Sequence, residues 1–156
     1  MSTVPKKKRL WIRLILIGLA CAAVISLYPS ESVVCPAWTI QVVDEAGNPL
    51  KGAFVRQVWQ DYSVESNSHE QDTYTDDSGH VSFPERTVRA PLLFRALGVI
   101  SNTVSQGVHA SYGPSAYILA YGDIVDGKRL EGRAHYEDGK PLPRQLKTRF
   151  NDLSFR

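Results

Sequence analysis

The sequence predicts a mainly β protein, a small β-sandwich of the Greek-key or immunoglobulin-like type with one inserted helix, preceded by a single amino-terminal transmembrane helix. Three observations predict it: apolar and polar residues alternate over short segments, Gly, Pro, Asn and Asp cluster between those segments, and one long uncharged apolar run follows a basic cluster. A chain of 156 residues leaves room for one domain of roughly 100 residues after the apolar run. The predicted segments are a basic head at 1–9, a transmembrane signal anchor at 10–30, a linker at 31–37, a β-sandwich domain at 38–125 and a charged carboxyl-terminal hairpin or tail at 126–156.

The amino-terminal segment has the composition of a membrane span. Leu14 through Ser30 is an uncharged run of 17 residues, at the short end of the roughly 17 to 25 residues that cross a bilayer. The long side chain of Arg13 can lie along the apolar phase while its guanidinium reaches the headgroups, which extends the usable span back to Leu10. We therefore expect residues 10–30 to contact membrane lipid.

The charge pattern predicts the orientation of that span. Five of the eighteen Lys and Arg residues lie between Lys6 and Arg13, and no Asp or Glu precedes Glu31. Because such cations stay on the cytoplasmic side, the head is expected to be cytoplasmic and the domain periplasmic, in a bacterial inner membrane. The rest of the chain carries thirteen cations and sixteen acids. This weakly acidic body lacks the clustered cations that bind nucleic-acid phosphates, so no nucleic-acid partner is predicted.

Two other fates of the apolar segment remain open. Ala20, Cys21 and Ala22 form the small-x-small pattern of a signal-peptide cleavage site, which would give a secreted protein. Leu19 through Cys21 form a degenerate lipobox, in which Cys21 would be lipidated and become the mature terminus. The apolar run continues past Ala22 to Leu27, which favours the uncleaved anchor.

Alternation and turn chemistry predict the first strands. Trp38, Ile40 and Val42 recur with the period of two that is typical of a half-buried strand. The segment from Gly47 to Gly52 contains Gly, Asn and Pro, which reverse the chain. A second strand, from Ala53 to about Tyr62, is expected to complete a β-hairpin.

A polar loop and a second turn are predicted next. Residues 63–71 are polar and are expected to form an exposed loop. Asp76 to Gly79 then form a turn between short strands, after which Val81 and Phe83 point to one side.

One helix, at about residues 90–105, is predicted between the strands. Pro91 suits the first turn, apolar residues recur at three- and four-residue spacing, and Gly107 ends the pattern. Because Gly98 costs roughly 1 kcal/mol relative to Ala in a helix interior, we expect docking onto the sheet to hold this helix. The recurring apolar residues are Leu93, Leu97, Ile100 and Val104.

Short strands and charged turns are predicted after the helix. We expect strands at 108–112 and 117–121, and turns at Asp126 and Glu137. The high charge of the last segment indicates an edge or surface element.

The turn motifs resemble those of a known family. The segment VVDEAGNPLKGAFV, followed by TDDSGHVSFP, resembles the carboxypeptidase regulatory-like domains and their transthyretin-like (prealbumin-like) relatives over Thr39 to Pro84. The resemblance implies an accessory β-sandwich that packs against or binds other proteins, with no catalytic residue to carry over. It implies turns closed by Gly47, Pro49, Gly52, Asp76 and Gly79, and a core that includes Ala53, Val55 and Phe83.

Residues with catalytic or metal-binding chemistry are scattered along the chain. The histidines, His69, His80, His109 and His135, lack the HExxH or other spacing of metal ligands. Ser78 does not lie in a G-x-S-x-G elbow. No catalytic residue, cofactor or metal site is therefore predicted, and the protein is not expected to be an enzyme.

Two further possibilities concern His69 and the cysteines. The polar segment from His69 to Asp77 carries donors for a divalent ion, and the alternative is a small metal-dependent or hydrolytic enzyme that uses this loop. The two cysteines, Cys21 and Cys35, exclude an internal disulfide framework. Cys35 either pairs between chains or stays free, as a buried apolar residue.

The sequence therefore indicates a non-catalytic, membrane-tethered extracytoplasmic β-sandwich, an accessory binding or structural module of the cell envelope with a protein partner. A second alternative is a carbohydrate-binding module, because sugars stack on exposed aromatic rings. The aromatic residues that are candidates for such a face are Trp38, Trp59, Tyr62, Tyr74, Tyr112, Tyr117 and Tyr121.

Overall fold

The computed structural model describes residues 6–125 and 128–152 of the chain. This part is mainly β with two α-helices, as predicted, and its strands form three sheets. The elements in chain order are α1 Lys6–Leu27, β1 Pro29–Cys35, β2 Trp38–Val43, β3 Phe54–Asp61, β4 His69–Tyr74, β5 His80–Phe83, β6 Arg86–Pro91, α2 Leu92–Gln106, a 3₁₀ turn Gly107–His109, β7 Pro114–Val125, β8 Lys128–Tyr136, β9 Gln145–Lys147 and β10 Arg149–Asp152.

The first helix, α1, contains the apolar run. From Lys7 to Leu27 it is long and apolar enough to cross a membrane, with a mean hydropathy of 2.4. The described residues outside this segment bury none of it, so its surface is available to lipid. These properties fit a membrane anchor or a signal sequence. The helix ends at Leu27 because Pro29, which lacks an N–H, begins a strand.

A long antiparallel ribbon follows α1. β1 pairs with β6, from Pro29 opposite Pro91 to Cys35 opposite Arg86, and β2 pairs with β5 in the matching register. The chain therefore runs away from α1 through β1 and β2 and returns through β5 and β6. The linker predicted at 31–37 is wrong for most of its length, because β1 occupies it as far as Cys35, which is fully buried.

The strands after the first turn belong to a different sheet. This five-stranded antiparallel sheet has the order β10-β8-β7-β3-β4. The predicted hairpin of β2 and β3 is therefore wrong. Its turn is present, since the Asp44 carboxylate accepts a 2.8 Å hydrogen bond from the Asn48 backbone N–H and Val43 forms a bridge with Pro49. Turn residues specify the reversal but not the strand that pairs.

The second turn also joins the two sheets, and it requires a glycine. Gly79 has a φ of 76°, and a Cβ there would lie 2.9 Å from the Val42 carbonyl oxygen. The Asp76 carboxylate accepts hydrogen bonds from the backbone N–H groups of Ser78 (2.9 Å) and His80 (2.8 Å). β5 leaves this turn with Val81 buried and the residues on either side of it exposed, as predicted.

The core lies between the five-stranded sheet and a three-stranded sheet of order β5-β2-β9, in which β9 runs parallel to β2. The chain is thus a two-layer sandwich. Its buried core residues include Trp38, Ile40, Val42, Ala53, Val55, Val81, Phe83, Ala116, Ile118, Ala120, Ala134 and Leu146.

The carboxyl-terminal segment is more than an edge. Ala134 and Leu146 lie in the core, so the prediction of a surface element is wrong at these positions, because β8 and β9 complete the two layers. The turn at Glu137 is present, with its carbonyl accepting a 3.0 Å hydrogen bond from Lys140 N–H. The turn predicted at Asp126 lies outside the described residues.

The helix α2 is where the pattern predicted it, and Gly107 caps it with a φ of 57°. Its docking is reversed relative to the usual arrangement, in which the apolar side of a helix faces the core. None of its residues is buried, and its recurring apolar side chains are exposed. The strand predicted at 108–112 is wrong, since a 3₁₀ turn at Gly107–His109 is followed by irregular chain. The strand predicted at 117–121 is confirmed within β7.

Candidate functional site

The best candidate site is the outer face of the five-stranded sheet, the face turned away from the core. Along β3, Val55 and Gln57 are fully buried, so the alternating side chains of Phe54 and Arg56 project to the other side. Strand register aligns residues of β4, β7 and β8 with them. We call the following residues the outer sheet face: Phe54, Arg56, Glu70, Asp72, Tyr74, Tyr117, Leu119, Tyr121, Arg133 and His135.

Aromatic rings form one corner of the outer sheet face. Phe54 lies opposite Tyr74 on β4 and Tyr121 on β7. The Phe54 and Tyr74 rings meet edge to face at 5.5 Å between centroids, and the Phe54 and Tyr121 centroids lie 6.1 Å apart. The side chain of Tyr74 is 66% exposed. Rings in this arrangement hold one another in place while leaving a surface for a partner.

A cleft of about 390 Å³ opens beside these rings. It is lined by Tyr74, Tyr121 and the turn residues that precede β3, with Lys51 as its one charged residue among the described residues that line it. A cleft with aromatic walls and a few polar groups suits a flat ligand or an extended chain.

The middle of the outer sheet face carries paired charges. The Arg56 guanidinium donates a 2.7 Å hydrogen bond to Asp72 and lies 2.8 Å from a Glu70 oxygen. Its hydrogen bond holds the pKa of Asp72 below its usual range. Because two carboxylates flank Arg56, this part of the face is poorly suited to bind an anion.

A second cation lies on the far side of the face. The Arg133 guanidinium stacks 4.0 Å above the centroid of the Tyr117 ring, and the His135 ring lies 5.7 Å from that of Tyr117. Partial burial lowers the pKa of His135, and the charge of Arg133 lowers it further. This side of the face can therefore stack against a ring or pair with a carboxylate.

The segment from His69 to Asp77 does not bring its donors together. His69 hydrogen-bonds to Glu65 at 2.8 Å and stacks on Trp59, whereas Asp72 projects to the other face of β4 and pairs with Arg56. Among the described residues, no group of three or more His, Cys, Asp or Glu side chains is placed to hold a metal ion.

Ser78, His80 and Asp76 are close together but form a turn cap. Ser78 Oγ lies 3.0 Å from His80 Nδ1 and 2.8 Å from Asp76 Oδ1. In a catalytic triad the carboxylate orients the histidine ring, whereas here Asp76 accepts from Ser78 and from the His80 backbone. Two other predicted positions lie elsewhere: His109 is in the 3₁₀ turn after α2, and Cys21 is exposed on α1.

Cys35 belongs to a polar cluster with Gln57, Arg86 and Trp59, which was not predicted from the sequence and in which the Gln57 amide donates to Cys35 Sγ at 3.8 Å. Gln57 Oε1 accepts a 2.9 Å hydrogen bond from Arg86, and the guanidinium of Arg86 lies 4.0 Å above the Trp59 ring. Burial raises the pKa of the Cys35 thiol to about 11, although the charge of Arg86 opposes the shift. A thiol that stays protonated is a poor nucleophile, and a fully buried one is closed to a second chain.

The predicted aromatic residues separate into four locations. Trp38 is buried in the core, where its indole N–H donates to the Pro143 carbonyl at 2.8 Å, and Trp59 is stacked in the polar cluster. Tyr62 and Tyr112 lie near α2. The other three, Tyr74, Tyr117 and Tyr121, share the outer sheet face with Phe54.

Comparisons with known proteins give a family without a described activity. The family model described as Domain of unknown function (DUF6795) matches residues 40–134, more than half of the chain. The matched segment contains α2 and most of the outer sheet face but not α1. A search of curated proteins and a search of solved structures each found no match. The chain therefore belongs to the family described as Domain of unknown function (DUF6795).

Proposed function

We propose that this protein is a non-catalytic, membrane-tethered β module that binds a protein partner of the cell envelope through its outer sheet face. One observation carries the proposal: one face of the sandwich carries an exposed ring, Tyr74, and three half-buried rings beside a cleft, while a helix of membrane-spanning length leads into the domain. An exposed aromatic residue that neighbouring rings hold in place on a sheet, as Phe54 holds Tyr74, is a typical anchor of a protein interface.

The proposed topology is a single pass through a bacterial inner membrane, with a cytoplasmic amino terminus and a periplasmic domain. Basic residues before the apolar run, Lys7, Lys8 and Arg9 among them, support this orientation. A secreted form, or a form lipidated at Cys21, is the alternative. A reporter enzyme that is active only in the periplasm, fused after Arg156, tests the orientation, and activity confined to a cytoplasmic reporter would contradict it.

Purification from membranes tests the binding role. The full-length protein is extracted in mild detergent, and the proteins that copurify are quantified by mass spectrometry for the native chain, Tyr74→Ala and Tyr112→Ala. Tyr112 is the matched control, because it is an exposed tyrosine away from the outer sheet face. Loss of an aromatic anchor is expected to lower the partner's yield about tenfold or more, since such anchors contribute roughly 2 kcal/mol. Equal yields for both variants would exclude the outer sheet face as the interface.

A carbohydrate-binding role is the second candidate. The cleft between Tyr74 and Tyr121 supports it, because sugar rings stack on tyrosines and the cleft has the volume of a small ligand site. Titration of the detergent-solubilised chain with soluble cell-wall oligosaccharides tests it, with Tyr121→Ala as the variant expected to lose binding. No heat change or chemical-shift change on titration would exclude it.

The proposal of a non-catalytic module, with an enzyme at His69 to Asp77 as its alternative, is supported by the separation of His69 from Asp72 on opposite faces of β4. Kinship with the carboxypeptidase regulatory-like domains is part of the proposal too, supported by the turns at Gly52 and Gly79. An unchanged yield of the copurifying partner for a His69→Ala variant would agree with the non-catalytic role. A metal ion that is bound in one-to-one ratio by the native chain and lost in that variant would contradict it.

A further inference from the structure

The helix α2 exposes an apolar stripe. The four side chains of this α2 stripe are 40% (Leu93), 50% (Leu97), 58% (Ile100) and 82% (Val104) exposed. Contiguous exposed apolar surface on a folded domain marks a contact with another molecule or with a membrane. The α2 stripe is therefore expected to be covered by another molecule or by a membrane.

The opposite side of α2 holds it to the domain. The Arg95 guanidinium forms a 3.1 Å ion pair with Asp61, which is almost fully buried. The Asn102 side chain donates a 2.6 Å hydrogen bond to the Tyr62 carbonyl. Gly98 packs so closely that a Cβ there would lie 1.8 Å from the Ser63 carbonyl oxygen.

The two sides of the helix are nearly opposite one another. At about 100° per residue, Arg95, Gly98 and Asn102 lie along one line of the helix, and the α2 stripe lies along the other. A helix that covers a soluble core does the reverse and turns its apolar side inward. Because the polar contacts hold the opposite side of the helix to the domain, the α2 stripe faces outward.

The helix α2 begins close to the end of α1. Pro29, two residues after α1, pairs with Pro91, the residue before α2, and α1 and α2 are in contact. Arg95 also donates a 3.3 Å hydrogen bond to the Ser30 carbonyl. The helix α2 thus begins at the end of the domain from which α1 emerges.

The chemistry of this region favours lipid over a protein surface. Residues 92–112 contain no Asp, Glu or Lys, and Arg95 and His109 are their only residues with ionisable basic groups. Arg95 is turned towards Asp61, so the stripe carries no charge that would oppose burial in lipid or select a charged partner. Tyr28, which is exposed just after α1, is a residue of the type that anchors proteins at the membrane–water boundary.

We infer that α2 rests on the membrane surface, with the α2 stripe inserted at the boundary between headgroups and acyl chains, and that this second contact holds the domain against the bilayer. The inference depends on the proposed insertion of α1 in the same membrane. Two contacts restrict the domain, since α1 alone would leave it free to tilt, and they present the outer sheet face at a set orientation.

Fluorescence quenching in vesicles tests the inference. The full chain, in a Cys21→Ala background, is labelled with a small environment-sensitive fluorophore at Ile100→Cys or, as the matched control, at Asp77→Cys. Asp77 is 88% exposed and lies in the turn at the other end of the ribbon, up to roughly 35 Å away along β5 and β6. Cys35 is fully buried, and the unsubstituted background measures any label that it takes up.

The vesicles contain phosphatidylcholine and phosphatidylglycerol, with or without a lipid that carries a quencher near the top of its acyl chain. Flotation first measures whether the chain is held by the vesicles. A label about 5–10 Å into the boundary region is expected to lose roughly half of its fluorescence. The Asp77→Cys label is expected to be unaffected by the lipid quencher and to be quenched by aqueous iodide.

Each other outcome overturns the inference in a distinct way. If the chain floats but the Ile100→Cys label responds only to iodide, α2 faces water and the anchor alone holds the protein. If that label responds to neither quencher, protein covers the stripe instead of lipid. If the chain does not float, the proposed membrane tether itself is wrong, and the inference fails with it.

Discussion

β2 and α2 each place apolar residues along one side, but that side is buried in β2 and exposed in α2. In β2, Trp38 and Ile40 are at most 1% exposed, because the five-stranded sheet lies across the core from them. In α2, Leu97 and Ile100 are at least half exposed, because polar contacts and a glycine dock the other side of the helix. Periodicity therefore predicts which residues share a side, but the element opposite decides whether that side meets protein or solvent.

The largest expected difference comes from removing an apolar side chain from β2. Ile40→Ala deletes fully buried atoms from the core, and such a change costs about 2–5 kcal/mol of the free energy of unfolding. Chemical unfolding of the full chain in detergent, followed by far-UV circular dichroism, measures it. Thr39→Ala, at the neighbouring exposed position, is the control and is expected to cost less than about 1 kcal/mol. A cost below 1 kcal/mol for Ile40→Ala would show that β2 is not a core strand.

The docking side of α2 is tested by Gly98→Ala. In an isolated helix this change gains about 1 kcal/mol, but here the new Cβ would collide with the Ser63 carbonyl. Overpacking of this kind costs about 1–3 kcal/mol, so we expect the chain to be destabilised and α2 to be cleaved faster by trypsin after Arg95. Ser101→Ala, at an exposed position of the same helix, is the control. A stabilised Gly98→Ala variant would contradict the reversed docking.

The turn that holds β5 against β2 gives a smaller, pH-dependent effect. Hydrogen bonds from the His80 backbone, and from Ser78, hold the pKa of Asp76 below its ordinary value. A carboxylate with a depressed folded-state pKa stabilises the fold above its unfolded pKa, near about 3.9, and loses that contribution as the pH falls through the folded value. We therefore expect Tm to fall between about pH 5 and 2, and to fall less steeply in Asp76→Asn.

Asp77→Asn is the matched control for that measurement, because it removes the same charge from the same turn. Its carboxylate contacts Lys51 instead of the backbone of the turn. Equal pH slopes for the Asp76→Asn and Asp77→Asn variants would contradict the role of the backbone hydrogen bonds.

The smallest effect is expected from the outward side of α2. Ile100→Ala removes nearly the same atoms as Ile40→Ala, but from a side chain that is 58% exposed. In detergent we expect the free energy of unfolding to change by no more than about 0.5 kcal/mol. A loss comparable to that of Ile40→Ala would mean that the α2 stripe packs against protein. That result would contradict the proposed contact between the stripe and the membrane.

The sequence indicated three aromatic residues of the outer sheet face as candidates, but it did not indicate that they share one face. Tyr74, Tyr117 and Tyr121 stood out as aromatic residues, whereas Phe54 and Arg133 did not. Their alignment depends on β3 pairing with β4 on one side and β7 on the other. Once this register is known, alternation along β3 places Phe54 beside Tyr74 and Tyr121, so the missing signal was the pairing and not the residue type.

Part of the fold likewise follows from local sequence, and the rest depends on contacts between distant segments. The apolar run of α1, the turns at Gly47 to Gly52 and at Asp76 to Gly79, and the limits of α2 follow from residues close together in the chain, because propensity, turn chemistry and periodicity are local. The sequence by itself therefore determined which segments are helix, strand and turn over much of the domain. It did not reveal β1 and β6, whose exposed positions are mainly polar.

Only the tertiary structure decided the partners of those segments. β2 pairs with β5 and, in parallel, with β9 from the distant carboxyl-terminal segment, and Leu146 enters the core by that route. The same level of structure turned Gly98 towards Ser63 and left Ile100 outside. The physical reason is that burial depends on which surfaces meet in space. Residues separated by about a hundred positions along the chain carry no local pattern that predicts their contact.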